Sequence, residues 1–459
     1  MLLGEVLAVE AAPVEITGLA YDNRRVEQGT LFFCVRGFTR DGHDFAADAI
    51  ARGAAALVVD HELGLGVPEV VVDDVRAAMA PAAARFYGDP TSRLRMAGVT
   101  GTNGKTTTCF LIRELLEAGG IQTGLLGTVT SFVGGEERPT VRTTPEAIDL
   151  QCTFAEMLDG GDAACAMEVS SHALELRRAD AISWDVAVFT NLSQDHLDFH
   201  PSMDAYFAAK RRLFEAGPQV KVINVDDEYG RRLAADFGDA ITYSLRDVED
   251  LESDGTGSRF TFDGIALATP HPGSFNVLNA LAAIHTARAF GVSDDVIAQA
   301  LPRAGRVPGR FEAVDEGQEF AVVVDYSHTP DALENVLRAA RDLADERVIC
   351  VFGCGGDRDR AKRPIMGRIA DELADVPIVT SDNPRSEDPQ AIIDEIAAAM
   401  AHDVVTEVDR RAAIREALGM AGPGDVVVIA GKGHEQGQEF AAGRKEPFDD
   451  VTVAREVLR

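Results

Sequence analysis

The stretch Gly98-Val99-Thr100-Gly101-Thr102-Asn103-Gly104-Lys105-Thr106-Thr107 combines the residue types that bind a phosphate chain. Glycines let a turn fold tightly and aim its backbone N–H groups inward. A lysine at the end of the turn can reach the terminal phosphates, and the threonine after it can hold Mg²⁺. The turn needs a strand before it and a helix after it, whose N-terminus adds partial positive charge. Residues 94–99 are a short apolar run, and residues 108–118 place Phe110, Leu111, Leu115 and Ala118 at helical spacing. The generic motif asks for glycine five residues before Gly104, where Val99 stands. The plain alternative is a glycine-rich turn with a surface lysine. It gives no reason for Lys-Thr-Thr to open a helix directly after the turn, so nucleotide binding is the expectation.

Other polar clusters also follow apolar runs. Glu168 emerges after residues 163–167. A carboxylate at a strand end in a phosphate-loop protein commonly holds Mg²⁺. Ser170 and Ser171 behind it also read as a helix cap, and both readings can hold. Asp195, His196, Asp198 and His200 follow Thr190-Asn191-Leu192-Ser193. They are dense enough for a transition metal but lack a strong zinc pattern, and a polar loop after a buried strand is the preferred reading. Lys210, among Ala208, Ala209, Arg211 and Arg212, reads from spacing alone as a solvated helix residue. Four further clusters lie near the C-terminus: Asp325 to Pro330, Gly353 to Asp359, Asp382-Asn383-Pro384-Arg385 and Gly431 to Glu435. Strand-end clusters of one parallel sheet converge on one crevice. Arg358 and Arg385 suit a carboxylate there, and Asp382 and Glu435 suit an ammonium group. The crevice fits an amino-acid zwitterion.

These loops imply an α/β chain. Strand-like runs at residues 30–35 and 55–59, with a helix at 45–52, outline a small domain over residues 1–93. Strand and helix signals alternate through residues 94–309: strands at 121–126, 165–169, 186–191 and 220–225 predict a mainly parallel sheet. Residues 250–257 read as an acidic, exposed connection, and 305–309, with Pro308, as a hinge. Residues 310–459 repeat the rhythm, with strands at 321–324, 348–352, 378–380 and 426–430 and helices at 331–343 and 391–401.

The chain has 459 residues and a net charge of −31. Such acidity argues against nucleic-acid and anionic-membrane partners. Only six of the 44 basic residues are lysine, so local Lys and Arg must hold any nucleotide within a negative field. The first ten residues lack a basic region, and no apolar run approaches transmembrane length, which leads to the expectation of a cytoplasmic protein. The six cysteines are scattered and read as reduced and mostly structural.

With these motifs in order, the chain resembles the Mur ligases of peptidoglycan synthesis over nearly its whole length. The loop Gly101-Thr102-Asn103-Gly104-Lys105-Thr106-Thr107 has that family's form, which accounts for the shifted glycine. Glu168 to His172, Thr190 to Ser193, Asp195-His196-Leu197-Asp198, Phe275-Asn276-Val277-Leu278-Asn279 and Asp325 to Asp331 follow in the family's order. The resemblance implies three α/β domains: an N-terminal UDP-sugar domain, a central phosphate-loop domain with a parallel sheet, and a C-terminal Rossmann-like amino-acid domain. It implies an ATP- and Mg²⁺-dependent amide-forming ligase, monomeric, working through an acyl phosphate. ATP contacts fall to the phosphate loop with Asn276, Asn279, Arg310 and Asp325. Lys105, Glu168, Lys210 and His196 are the implied catalytic set. Thr106, Glu168 and Lys210 are the implied metal ligands, Lys210 as a carbamate formed with CO₂.

Asn23, Thr143, Thr144, Ser170 and Arg178 resemble contacts to a UDP-N-acetylmuramoyl dipeptide. Arg358, Asp382, Asn383, Pro384, Arg385, Gly431 and Glu435 resemble contacts to the added amino acid. The Asp382 to Arg385 turn resembles that of members adding meso-diaminopimelate to UDP-N-acetylmuramoyl-L-alanyl-D-glutamate. Asn23 stands where a serine is common, Arg142 where asparagine precedes the Thr-Thr pair, and Leu176 where glutamine is usual. The rivals are a lysine-adding relative, a folylpolyglutamate synthase-like ligase and a nucleotide-binding protein without catalysis. The long N-terminal domain and Thr143-Thr144-Pro145 oppose the second, and the retained Lys105, Glu168 and Lys210 oppose the third.

Overall fold

The computed structural model describes residues 1–140, 142–402 and 404–459. The chain divides into two compact units. One holds Met1–Thr100, Gly120–Ala187 and Ala209–Lys221; the other holds Gly101–Gly119, Val188–Ala208 and Val222–Arg459.

The first unit begins with a parallel sheet of β1 (Gly18–Ala20), β2 (Thr30–Phe33), β3 (Ala54–Val59) and β4 (Glu69–Val71), in that order. Alternation along the strands fills two cores. Leu31, Phe33, Ala56 and Val58 pack on one face, and Phe32, Cys34, Leu57 and Val59 on the other. A sheet buried on both faces needs continuous apolar strands, which is what residues 31–34 and 56–59 supply.

Eight strands form the next sheet: β5 (Arg95–Thr100), β6 (Thr123–Leu126), β7 (Thr130–Val133), β8 (Glu136–Pro139), β9 (Ala164–Glu168), β10 (Val186–Phe189), β11 (Val220–Asn224) and β12 (Ile241–Tyr243). Their order is β12-β11-β10-β5-β9-β6-β7-β8. The pairs β5–β9 and β6–β9 are parallel, as the sequence predicts. The antiparallel edge β6-β7-β8 is not predicted, because β8 is a charged, solvated strand without an apolar alternation. The helix Lys105–Ala118 begins three residues earlier than its apolar pattern suggests, with Gly104 as its N-cap. Its first turn is polar because those residues face the loop.

The second unit corrects the reading of residues 250–257 as a connection. They belong to a three-stranded antiparallel sheet of β13 (Val248–Asp254), β14 (Gly257–Phe262) and β15 (Ile265–Thr269). All seven β13 residues are partly or fully exposed, so backbone pairing holds the strand without an apolar face to reveal it.

The last sheet contains β16 (Glu312–Ala313), β17 (Ala321–Asp325), β18 (Val348–Phe352), β19 (Val376–Thr380), β20 (Val405–Glu407) and β21 (Val426–Ala430). Its order is β16-β17-β21-β18-β19-β20, with β17 to β21 all parallel and β16 antiparallel. Val323, Cys350, Phe352 and Val428 fill one face; Val322, Val324, Ile349, Val351, Val427 and Ile429 fill the other. All six cysteines are free, and five are buried.

Arg410 and Asp450 close this region with a fully buried ion pair, Nη2 to Oδ2 at 2.7 Å. Arg410 also donates to the Ala430 carbonyl at the end of β21. Burial pushes the Asp450 carboxyl up, and Arg410 opposes it. Breaking a buried pair strands the remaining charge, at about 3–5 kcal/mol. Arg410→Ala is therefore expected to lower stability by that amount in urea unfolding. The double variant Arg410→Met/Asp450→Leu should recover most of the loss, which a purely steric role for Arg410 would not allow.

Candidate functional site

In the second unit the phosphate loop is held from behind by the segment after β10. The Asn103 N–H donates to Asn191 Oδ1 at 2.9 Å, and the Thr102 N–H to the Asn191 carbonyl at 2.9 Å. Thr190 Oγ1 donates to the Asn103 carbonyl at 2.6 Å, and the Ser193 N–H to Thr102 Oγ1 at 3.0 Å. The Thr190-Asn191-Leu192-Ser193 run thus cradles the loop, a role its position after a strand did not disclose. Gly104 has φ 82°, and an added Cβ would lie 2.3 Å from Asn279 Oδ1. Both backbone and space therefore demand glycine there.

Lys105 Nζ donates to the Gly101 and Thr102 carbonyls at 3.0 and 2.7 Å, curled over its own loop. Thr106 Oγ1 accepts from Arg310 Nη2 at 3.1 Å, and Thr107 is buried in the same turn. Asn276 and Asn279 are buried and bond each other at 3.1 Å; Asn276 also donates to the Pro272 carbonyl. Their amides brace the helix Ser274–Ala289 beside the loop. Asp325, at the end of β17, accepts from the Phe311 N–H at 2.7 Å and from Ser327 Oγ. The Arg310 guanidinium covers the Tyr326 ring at 4.3 Å.

The loop and the C-terminal clusters meet in this unit, across the sequence hinge at residues 305–309. Asn103 Nδ2 donates to Asp331 Oδ2 at 2.7 Å, and Gln194 Nε2 to Asp359 Oδ2 at 2.9 Å. Asp195 lies between His196 (3.3 Å) and His328 (3.7 Å). Burial raises its carboxyl, but His328, His196 and Lys362 outweigh that and hold it well below the usual range. His196 has φ 54° and Arg385 has φ 51°. Non-glycine residues in this region cost about 1–3 kcal/mol and cluster at working sites.

Several of the strand-end clusters of the last sheet lie close together. Asn383 Nδ2 donates to Glu435 Oε2 at 2.8 Å, and Asp382 and Asn383 are both buried, beside Pro384. Gly431 has φ 118°, and an added Cβ would lie 2.6 Å from Asp382 Oδ2. Arg385 is partly committed already, to Glu439 (3.0 Å) and the Gly356 carbonyl (2.8 Å). Arg358 is half exposed and lies 3.6 Å from Asp198. Lys432, which the sequence reading passed over, is fully buried and donates to Asn383 Oδ1 at 2.9 Å and Glu435 Oε2 at 2.8 Å. Its place between two glycines after an apolar strand was the available signal.

The first unit gathers the other predicted residues. Glu168, almost fully buried at the end of β9, accepts from the Thr128 N–H at 2.7 Å and Thr128 Oγ1 at 3.1 Å. Thr128 Oγ1 also lies 3.0 Å from Thr143 Oγ1. Thr144 Oγ1 donates to the Glu168 carbonyl at 2.9 Å and accepts from the Ser170 N–H at 3.1 Å. Ser170 Oγ accepts from the Ala173 N–H, so it caps a helix as well. Arg178 bonds the Thr144 carbonyl (3.3 Å) and pairs with Glu146 (2.9 Å). Arg76 and Arg142 pair with the same buried Glu146 at 3.2 and 3.0 Å. Thr128 and Glu146 escaped the sequence reading, although Thr128 follows a strand end. Lys210 is 1% exposed, so the solvated-helix reading of its spacing is wrong. Its neighbours Arg211 and Arg212 are both partly exposed. Asn23 lies apart in the N-terminal region, bonded to Asp48 at 2.7 Å.

Family models match three successive stretches. The Mur ligase family catalytic domain matches residues 15–87, the Mur ligase middle domain residues 99–287, and the Mur ligase glutamate ligase domain residues 309–433. The chain belongs to the Mur ligase family. It is 49% identical to the UDP-N-acetylmuramoyl-L-alanyl-D-glutamate–2,6-diaminopimelate ligase of Geobacillus kaustophilus, over 97% of this chain and 95% of that one. It is 46% identical to the protein of that name in Solibacter usitatus, over 100% and 98%. A solved structure of a ligase of that name matches with a TM-score of 0.71 and 34% identity, covering 100% of this chain and 98% of that one. The MurF ligase of Thermotoga maritima shares the fold at 18% identity and a TM-score of 0.67, covering 97% of each chain. No helix among the described residues is long and apolar enough to cross a membrane.

Burial raises the Glu435 carboxyl, but Lys432 and the Asn383 amide win and depress it. The stability tied to that depression is present above the ordinary carboxylate value. It disappears as pH falls through the depressed one. In Lys432→Met, Glu435 keeps its burial and loses its cation, so its titration should move upward. Side-chain carboxyl NMR would follow it. An unmoved titration would assign the depression to Asn383 and His328 instead.

Proposed function

We propose that the chain is the ATP-dependent ligase that joins meso-diaminopimelate to UDP-N-acetylmuramoyl-L-alanyl-D-glutamate, in the cytoplasm, during peptidoglycan precursor synthesis. The observation that carries this is the near-full-length identity to ligases of that name. The cluster of Asp382, Asn383, Arg385 and Glu435 supports the amino-acid assignment. It offers carboxylates for an ammonium group beside a guanidinium for a carboxylate. Residues 1–93 would then bind the UDP sugar, 94–309 ATP, and 310–459 the amino acid.

In this reading ATP phosphorylates the D-glutamyl γ-carboxylate. The amine of diaminopimelate attacks the acyl phosphate carbonyl, loses a proton and expels inorganic phosphate. Lys105 leaves its loop carbonyls for the phosphates, and the loop amides hold them in line. Asn276, Asn279, Arg310 and Asp325 would surround the adenosine. Thr143, Thr144, Ser170 and Arg178 would hold the dipeptide arm. His196, strained and beside Asp195, would orient the reacting groups.

Mg²⁺ prefers oxygen donors, and Thr106, Glu168 and a carbamate on Lys210 would each supply one. Mg²⁺, when bound, would neutralise charge on the transferred phosphoryl group.

Purified protein given ATP, the UDP-dipeptide and equal meso-diaminopimelate and L-lysine should form the diaminopimelate product almost exclusively. Phosphate release should require both acceptor and amine. Preferential lysine incorporation would favour the lysine-adding reading, and phosphate release without the acceptor would exclude both.

Lys210→Ala should lose most activity, because a missing metal carboxylate costs several kcal/mol, roughly 10²-fold or more in rate. Short carboxylic acids should partly restore it by filling the gap. Lys210→Arg should be as poor, since guanidinium cannot take up CO₂. Full turnover by Lys210→Arg would end the carbamate proposal.

A further inference from the structure

Where β2 and β3 end, four side chains gather that the ligase reaction above does not use. Asp41 and His43 follow β2; Asp60 and His61 follow β3. One ligand atom from each of His43, Asp60 and His61 lies within 4.8 Å of the others. His43 Nδ1 is 2.6 Å from Asp41 Oδ1, which also accepts the His43 backbone N–H at 3.0 Å. His43 Nε2 accepts the Asp60 backbone N–H, so in the neutral ring the proton sits on Nδ1, facing Asp41, and the lone pair on Nε2. That atom lies 3.2 Å from Asp60 Oδ1 and faces the Asp60 N–H at 3.3 Å. His61 Nδ1 lies 2.5 Å from the same Oδ1, and the two imidazoles stack at 4.8 Å. Arg36 holds both Asp60 oxygens, Nε on Oδ2 at 2.6 Å and Nη2 on Oδ1 at 3.2 Å.

We propose that His43 Nε2, Asp60 Oδ1 and His61 Nδ1 form a binding site for a divalent transition ion of the zinc class. Two imidazoles and one carboxylate are a poor set for Mg²⁺ or Ca²⁺ and a good one for Zn²⁺ with water in the fourth position. The supporting groups are those such sites use: Asp41 fixes the tautomer and orientation of His43, and Arg36 orients Asp60. Zinc bonds of about 2.0–2.1 Å in a tetrahedron separate ligand atoms by about 3.3 Å. His43 and Asp60 already stand 3.2 Å apart. His61 must move outward, and its side chain is 54% exposed, whereas His43 is 6% exposed. The ion replaces the His61–Asp60 hydrogen bond and the Asp60 N–H bond to His43 Nε2, with His61 carrying its proton on Nε2. It pins the loop bearing Asp41 and His43 to the end of β3.

The test is titration of the chelator-stripped full-length protein with Co²⁺ in excess Mg²⁺, followed by visible absorption. One equivalent should bind with an intense tetrahedral spectrum, be displaced by Zn²⁺, and raise the melting temperature. His61→Ala changes an exposed side chain and should fold normally while losing that spectrum. Its Co²⁺ affinity should fall at least tenfold. Asp41→Ala should weaken binding about 10- to 100-fold with the spectrum retained. A wild-type protein without a saturable Co²⁺ site would overturn the proposal. So would a His61→Ala protein with unchanged affinity and spectrum.

Discussion

A phosphate loop can aim its amides at a ligand only if something else accepts its remaining polar groups. Here that constraint falls on Thr190, Asn191 and Ser193, which hold both faces of the Thr102–Asn103 peptide region. Their bonds are short and mostly backbone-directed, so the turn is fixed before any phosphate arrives. Preorganisation of this kind removes the cost of arranging donors during the reaction. Gly104 and Asn279 fix the other side by contact. The helix Ser274–Ala289 is therefore tied to the loop through packing at Gly104 and to the helix that follows it through a Thr108–Asn279 hydrogen bond.

The same logic recurs in the last sheet. β21 lies between β17 and β18, although it comes last in sequence among the strands of that sheet. That insertion brings Gly431 and Lys432 next to Asp382 and Asn383, about fifty residues earlier. Lys432 then settles a conflict: Asn383 and Glu435 both need buried partners, and one ammonium serves both. Without such a counter-charge, an acidic pocket would favour protonated carboxyls and hold an ammonium poorly.

Fold class was legible because continuous apolar strands and amphipathic helices leave strong patterns, as in β2, β3, β17 and β21. β8 and β13 were not, since solvated edge strands are held by backbone pairing and carry no face to read. Motif residues with chemistry at a strand end, such as Glu168 and Asp382, could be named from type and position. Lys210 could not: helix spacing places it beside two arginines, and only the packed structure shows that it points inward. Glu146 was equally hidden, because its meaning comes from three arginines scattered over a hundred residues of sequence.

That Glu146 cluster has a kinetic side. Three guanidiniums face one carboxylate, and burial followed by the neighbouring Arg142 and Arg76 charges makes Arg178 easier to deprotonate, against the pull of Glu146. This is a positive island on a chain of net charge −31. A diphosphate-bearing anion is repelled at long range and attracted only within about one Debye length, roughly 8 Å at physiological salt. Added salt screens the distant repulsion more than the close attraction. Encounter with an anionic substrate should therefore speed up as ionic strength rises, the reverse of ordinary electrostatic steering.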